Sequence, residues 1–256
     1  MKHVQSRDNP FFKELKRLAQ SGRERRKSGC TLLDGIHLIE AYEAAVGPVD
    51  TLVAGESGIA RGEIRDFVAD RDHVVLTDAL FRDVGIVDHP SGIMAVARFP
   101  ESKDVPDLAA DTVVLDGLQD PGNVGTLLRT AAAAGFRQVL LAPDCAAPWS
   151  PKVLRAGQGA HFVLDIFEDA DLPVFLASYS GTAAVTCLEG AQSLYEARWD
   201  GPIAWIFGSE GQGVRPEVAA AARLRIRIPM PGQVESLNVG AAAAVCLFET
   251  VRRRLP

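Results

Sequence analysis

The chain has 256 residues, 47% of them hydrophobic and 23% charged, with a formal net charge of −6. This length exceeds the roughly 100–150 residues of one ordinary domain and suits two modest ones, and the composition excludes disordered, fibrous and collagen-like classes. No apolar stretch suits a membrane span or signal peptide, and Cys30, Cys145, Cys187 and Cys246 lack metal or redox spacing, so a cytoplasmic protein with reduced thiols and no metal is expected.

Charge is unevenly distributed. Residues 1–30 hold nine Lys or Arg against three acids, a local +6 that leaves −12 for the rest. A basic amphipathic helix is expected from about Asn9, and Lys13, Arg17, Arg25 and Arg26 are its candidates for phosphate contact with a polynucleotide. A solvated helix face is the competing reading of such a charge run. The pattern then predicts a strand at Thr31–Leu33, a helix at Ile36–Ala45, a strand at Asp50–Ala54, a helix near Arg61–Ala69, and strands at His73–Leu76 and Gly92–Ala97. Residues 1–99 thus read as a small α/β domain, followed by a proline-containing acidic linker at 100–111.

The alternation resumes in residues 112–256. Strands are expected at Thr112–Leu115, Gln138–Leu141, Phe162–Ile166, Val174–Ser178, Ile203–Phe207 and Leu224–Ile228, with helices near Val124–Ala134 and from Leu237 to Arg253. The continuously apolar runs TVVLD, QVLLA and IAWIFG suit central strands of a parallel sheet covered on both faces.

Three loops after strands are dense in glycine, proline and polar residues, and strand carboxyl ends are where such sheets bind ligands. They are DGLQDPGNVGTLLR (116–129), GSEGQG (208–213) and IPMPGQVESLN (228–238). Singly, each is a weak signal. Neither G-x-G-x-x-G after the first strand of either domain nor G-x-x-x-x-G-K-[ST] occurs, which removes support for dinucleotide and P-loop sites.

Together and in this order, the three loops resemble the SpoU (TrmH-like) family of SPOUT RNA 2′-O-methyltransferases. The first motif is carried by Asp120, Pro121, Asn123, Val124, Gly125 and Arg129. The second is carried by Gly208, Ser209, Glu210, Gly211 and Gly213, and the third by Ile228, Pro229, Met230, Gly232, Glu235, Ser236, Leu237, Asn238 and Val239. The segment SPKVLRAGQGA (150–160) extends the likeness through the second domain. More loosely, SRDNPFFKELKRL and TLLDGIHLIEAY resemble the L30e/L7Ae-like domain of members acting on ribosomal RNA. Two positions depart from the pattern: Gln158 and Gly240 stand where serine is common.

The resemblance implies an α/β fold with a C-terminal trefoil-knot (SPOUT) domain of mostly parallel sheet behind a small L30e/L7Ae-like α/β domain, and a homodimer through the knotted domain. It implies S-adenosylmethionine as methyl donor and a ribose 2′-hydroxyl of structured RNA, 23S ribosomal RNA above all, as acceptor. Arg129, Asn123, Glu210, Ser236 and Asn238 would be the catalytic set, and Gly208, Ser209, Gly211, Gly213, Ile228, Met230, Leu237 and Asn238 would hold the cofactor. Transfer-RNA methylation and a catalytically silent RNA-binding protein are the alternatives, and a small-molecule enzyme on a Rossmann sheet is a third.

Overall fold

The computed structural model describes residues 2–85, 87, 89–101, 103–187, 190–209, 211–234 and 236–255. They form two compact units, one of residues 1–101 with 147–162 and the other of 102–146 with 163–256. The segment 147–162, which lies within the second half of the sequence, therefore groups with the first unit.

The first unit runs β1 (Lys2–Val4), α1 (Pro10–Gln20), α2 (Gly22–Ser28), β2 (Cys30–Asp34), α3 (Ile36–Ala45), β3 (Thr51–Gly55), α4 (Glu56–Ile59), α5 (Gly62–Val68), β4 (His73–Leu76), α6 (Asp78–Val84) and β5 (Ile93–Arg98). Its five-stranded sheet has the order β1-β4-β3-β5-β2, parallel across the first three and antiparallel where β5 meets β3 and β2. Asn9 starts α1 by accepting the Phe11 N–H at 2.9 Å, with Pro10 in the first turn, where its missing donor matters least. Phe12, Leu15 and Leu18, spaced by three, enter the core against Leu32, Val53 and Leu76. Phe12 is thus a core residue.

The second unit contains β6 (Thr112–Asp116), α7 (Pro121–Ala133) and β7 (Gln138–Leu141), while α8 (Pro151–Gly157) belongs to the first. It continues with β8 (Asp165–Phe167), α9 (Leu172–Ser178), β9 (Thr182–Thr186), β10 (Gln192–Ser193), β11 (Ile203–Gly208), α10 (Pro216–Ala220), β12 (Leu224–Arg227) and α11 (Val239–Arg254). All seven strands pair in parallel, in the order β10-β12-β9-β11-β6-β7-β8. The strand β12 lies between β9 and β10, both earlier in the chain, so the final stretch is laid inside structure that precedes it. Trp205 on β11 is fully buried, and its indole N–H donates to Thr250 on α11 at 3.0 Å.

Two expectations need correction. Val174–Ser178 is not a strand but the body of α9. Asp171 accepts the Val174 N–H at 3.1 Å, Pro173 lies in the first turn, and Leu172, Phe175 and Leu176 are buried at helical spacing. A short apolar run does not separate helix from strand by itself, and the capping signal decides here. The strand at Phe162–Ile166 is shifted: a 3-10 turn occupies Ala160–Phe162 and the strand begins at Asp165. The strand β9, unexpected from its alanine-rich sequence TAAVT, fills the place next to β11. Among the described residues, no helix is long and apolar enough to cross a membrane.

Candidate active site

Because the strands of the second unit are parallel, their carboxyl ends share one edge of the sheet, and the three glycine-rich loops leave from that edge. Register places Gly208, the end of β11, beside Asp116, the end of β6. Asp116 is 1% exposed, and its carboxylate accepts the Arg215 main-chain N–H and Nε–H, each at 2.7 Å. This charge-assisted pair ties the loop after β11 to the end of β6. Asp116 received no role from the sequence, although it opens the first loop motif. A carboxylate whose partner lies 99 residues away leaves no local signal.

The second loop is a closed turn. Ser209 and Gly213 exchange main-chain hydrogen bonds of 3.1 and 2.8 Å. A Cβ on Gly208 would sit 2.2 Å from the Gly213 carbonyl carbon and oxygen, so this crossing admits only glycine. Gly213 has φ of +69°, in the region that favours glycine.

The first and third loops each lead into a helix, and the two helix starts are joined. Asp120 caps α7 by accepting the Asn123 N–H at 2.7 Å. Asn238 caps α11, its Oδ1 accepting the N–H groups of Gly240 and Ala241 at 2.9 and 3.4 Å. The Asn238 side-chain amide donates from Nδ2 to Asn123 Oδ1 at 3.1 Å. One asparagine thus caps a helix and fixes that helix to its neighbour. The helices are close enough that a Cβ on Gly240 would stand 3.0 Å from Thr126 Cγ2. Arg129 follows Thr126 by three residues, about one turn on, where it is exposed and meets no hydrogen-bond or ion-pair partner among the described residues.

Beside the start of α11 is an open cavity of about 150 Å³, lined by Thr186, Ile226, Ile228, Met230, Ser236 and Leu237, with Cys187 and Ala242 completing the wall. Of the expected cofactor residues, Ile228, Met230 and Leu237 line it, and the expected catalytic Ser236 does too. Asn238 stands at the adjoining helix cap, whereas Gly208, Ser209, Gly211 and Gly213 form the neighbouring loop and are not part of its wall. Thr186, Cys187, Ile226 and Ala242 were missed in sequence because they belong to no loop motif. Glu210 and Glu235 lie outside the described residues.

In the first unit, Lys13, Arg17 and Arg26 are exposed as expected, with Lys13 also paired to Asp8 at 3.0 Å. Arg25 is different. Only 6% exposed, it donates from Nη1 to the carbonyls of Leu18 and Ala19 at 2.7 and 3.2 Å, which satisfies the end of α1. Its guanidinium is committed to the fold rather than to phosphate.

Comparison with known proteins agrees with this layout. The SpoU rRNA Methylase family matches residues 111–248, and the MRM3-like substrate binding domain matches residues 9–95. The 23S rRNA (guanosine(2553)-2′-O)-methyltransferase RlmP of Bacillus subtilis (strain 168) is 32% identical, over 97% of this chain and 98% of its own. A crystal structure of an RNA 2′-O ribose methyltransferase superposes with a TM-score of 0.83 at 31% identity, covering 99% of this chain and all of that one. An AdoMet-bound rRNA methyltransferase from Sinorhizobium meliloti gives a TM-score of 0.79 at 26% identity, covering 100% and 99%. With the family match spanning more than half of the sequence and the Asn123–Asn238 pair standing where the first and third motifs meet, this chain belongs to the SpoU rRNA Methylase family.

Proposed function

We propose that the protein transfers a methyl group from S-adenosylmethionine to a ribose 2′-hydroxyl of structured RNA, with 23S ribosomal RNA as the substrate. The observation that carries this reading is the Asn123–Asn238 hydrogen bond, which locks the arginine-bearing α7 to the helix that borders the apolar cavity. The residues present suit the donor. Ile226, Ile228, Met230 and Leu237 offer apolar surface to a flat purine.

When bound, S-adenosylmethionine supplies a methyl group on a positively charged sulfur, already activated for transfer. The protein's own task is to align a ribose oxygen and remove its proton. Arg129, permanently charged and exposed on α7, stabilises the alkoxide that develops on the 2′-oxygen and so favours proton loss. Asn123 and Asn238 hold the two helix starts in register, Ser236 presents a hydroxyl at the cavity wall, and Glu210 completes the proposed catalytic set. The first unit binds the RNA, with exposed Lys13, Arg17 and Arg26 reaching phosphates. The enzyme works in the cytoplasm as a homodimer through its second unit, a reading supported by Phe248 on α11 and Leu255 just beyond it, 48% and 64% exposed.

The test is labelled methyl transfer to total ribosomal and transfer RNA by the wild-type protein and by Arg129→Ala. Arg129→Ala is expected to abolish transfer while S-adenosylhomocysteine, measured by calorimetry, binds within about twofold of wild type. Lost cofactor affinity with normal turnover at saturation would refute the role of Arg129. Transfer confined to transfer RNA would move the substrate assignment to that class.

A further inference from the structure

A cavity in the first unit is unused by the chemistry above. It encloses about 260 Å³ and is built where β2 passes into α3, with Asp34, Gly35, Ile36 and His37 on one side, Arg61, Glu63 and Ile64 on another, and Ser91, Ile93, Arg155 and Gln158 closing it. All of these residues belong to the first unit.

The wall is preorganised. The Asp34 side chain is wholly buried, accepts both the main-chain N–H and the hydroxyl of Ser91 at 3.1 Å, and pairs with Arg155. Arg61 Nη1 donates to the Ser91 carbonyl at 2.8 Å. Two guanidiniums are therefore each anchored by one nitrogen, and neither has another side-chain partner among the described residues. A guanidinium carries five N–H donors in a rigid fork, so most of each fork remains for a ligand. Ile36, Leu38, Ile64 and Ile93 add apolar surface to the wall, the Glu63 carboxylate adds an acceptor for a base amino group, and His37 is exposed at the rim with its side chain 85% accessible. The close approach of Gly58 to Gly92, where a Cβ on Gly58 would sit 2.2 Å from the Gly92 carbonyl oxygen, keeps the loop carrying Ser91 against α4.

A small anion would leave the apolar wall unused, and a peptide would exceed the volume. A single base suits both, since it is flat, apolar on its faces and rich in acceptors along its edge. Arginine forks pair with the O6 and N7 acceptors of guanine, and folded RNA is read chiefly through unstacked nucleotides. We propose that this cavity takes one purine turned out of the substrate RNA, read by Arg61 and Arg155 and flanked by His37. The proposal rests on RNA being the substrate, and it makes the first unit a reader of an unpaired base as well as a holder of phosphates.

The test is binding of a fluorescent single-stranded, purine-containing RNA octamer to the intact protein, with the same octamer in a duplex as control and no methyl donor present. Arg61→Gln and Arg61→Lys are both expected to weaken single-strand binding about tenfold, because lysine keeps the charge and loses the fork. Duplex binding should change less than twofold, and the melting midpoint should stay within about 2 °C. Wild-type affinity in both variants would overturn the proposal, and full rescue by Arg61→Lys would overturn base reading in favour of a phosphate contact. Because the assay omits the methyl donor, failure here leaves the transferase reading standing, and failure of transfer leaves this binding result intact.

Discussion

At the scale of single residues, a motif singles out positions without giving the contacts that constrain them. Gly208 is singled out by its motif but not explained by it: the limiting contact is with Gly213, and only the closed turn brings the two together. Gly208→Ala is therefore expected to open the loop and lower affinity for S-adenosylhomocysteine at least tenfold by calorimetry, and unchanged affinity would dissociate this loop from the cofactor. Arg25 shows the reverse case. Its place in a basic run suggested phosphate contact, yet burial and two carbonyl acceptors assign it to the end of α1. Removing it leaves those carbonyls unmatched, so Arg25→Met should cost about 1–3 kcal/mol in denaturant unfolding. Arg26→Ala should leave stability within about 0.5 kcal/mol and flatten the salt dependence of RNA binding by about one charge. Equal stability losses in the two variants would contradict this division of labour.

At the scale of elements, helices with caps and strands with bulky apolar residues were readable, and the exceptions have physical causes. The runs at Thr112, Gln138 and Ile203 became β6, β7 and β11 because their residues favour a buried pleated surface. The strand β9 gives little sequence signal because alanine has little strand preference, and the apolar run of α9 separates from a strand only through the cap Asp171 and Pro173. Packing between elements was not legible at all. Gly240 departs from the family's serine, and the structure supplies a reason: α11 starts so near α7 that an added Cβ would press on Thr126 Cγ2 at 3.0 Å and Asn238 Oδ1 at 3.1 Å. The two positions should be coupled by roughly 0.5–3 kcal/mol in a double-mutant cycle of unfolding, with Gly240→Ser better tolerated when Thr126 is alanine. Strict additivity would mean that the helices relax apart without strain.

At the scale of the whole molecule, acid sensitivity follows from groups the reaction does not use. His161 is 1% exposed, its Nε2 faces the Pro148 carbonyl at 2.9 Å, and burial pushes its pKa down to about 4. Between pH 6.5 and 4 the unfolded chain protonates this imidazole while the folded one keeps it neutral. The unfolded state then binds more protons, so stability rises with pH across that window and falls by about 3 kcal/mol on acidification through it. His161→Gln should remove that part of the pH dependence in denaturant titrations, and an unaltered slope would contradict it. Glu249 acts in a lower window. Hydrogen bonds from Arg252 and Arg253 hold its pKa at about 2, so its contribution, full above pH 4.5, is lost as pH falls towards 2.

The grouping of residues 147–162 with the first unit is not legible in the sequence, because nothing local in SPKVLRAGQGA announces a long-range partner such as Asp34. The central claim is that the joined starts of α7 and α11 serve methyl transfer to a ribose oxygen. Its most direct test is alkaline hydrolysis of ribosomal RNA labelled by the protein, since a methylated 2′-oxygen can no longer attack the adjacent phosphate. The account predicts label retained in alkali-resistant dinucleotides with wild-type protein and none with Arg129→Ala. Label released in single nucleotides, marking a methylated base, would contradict it.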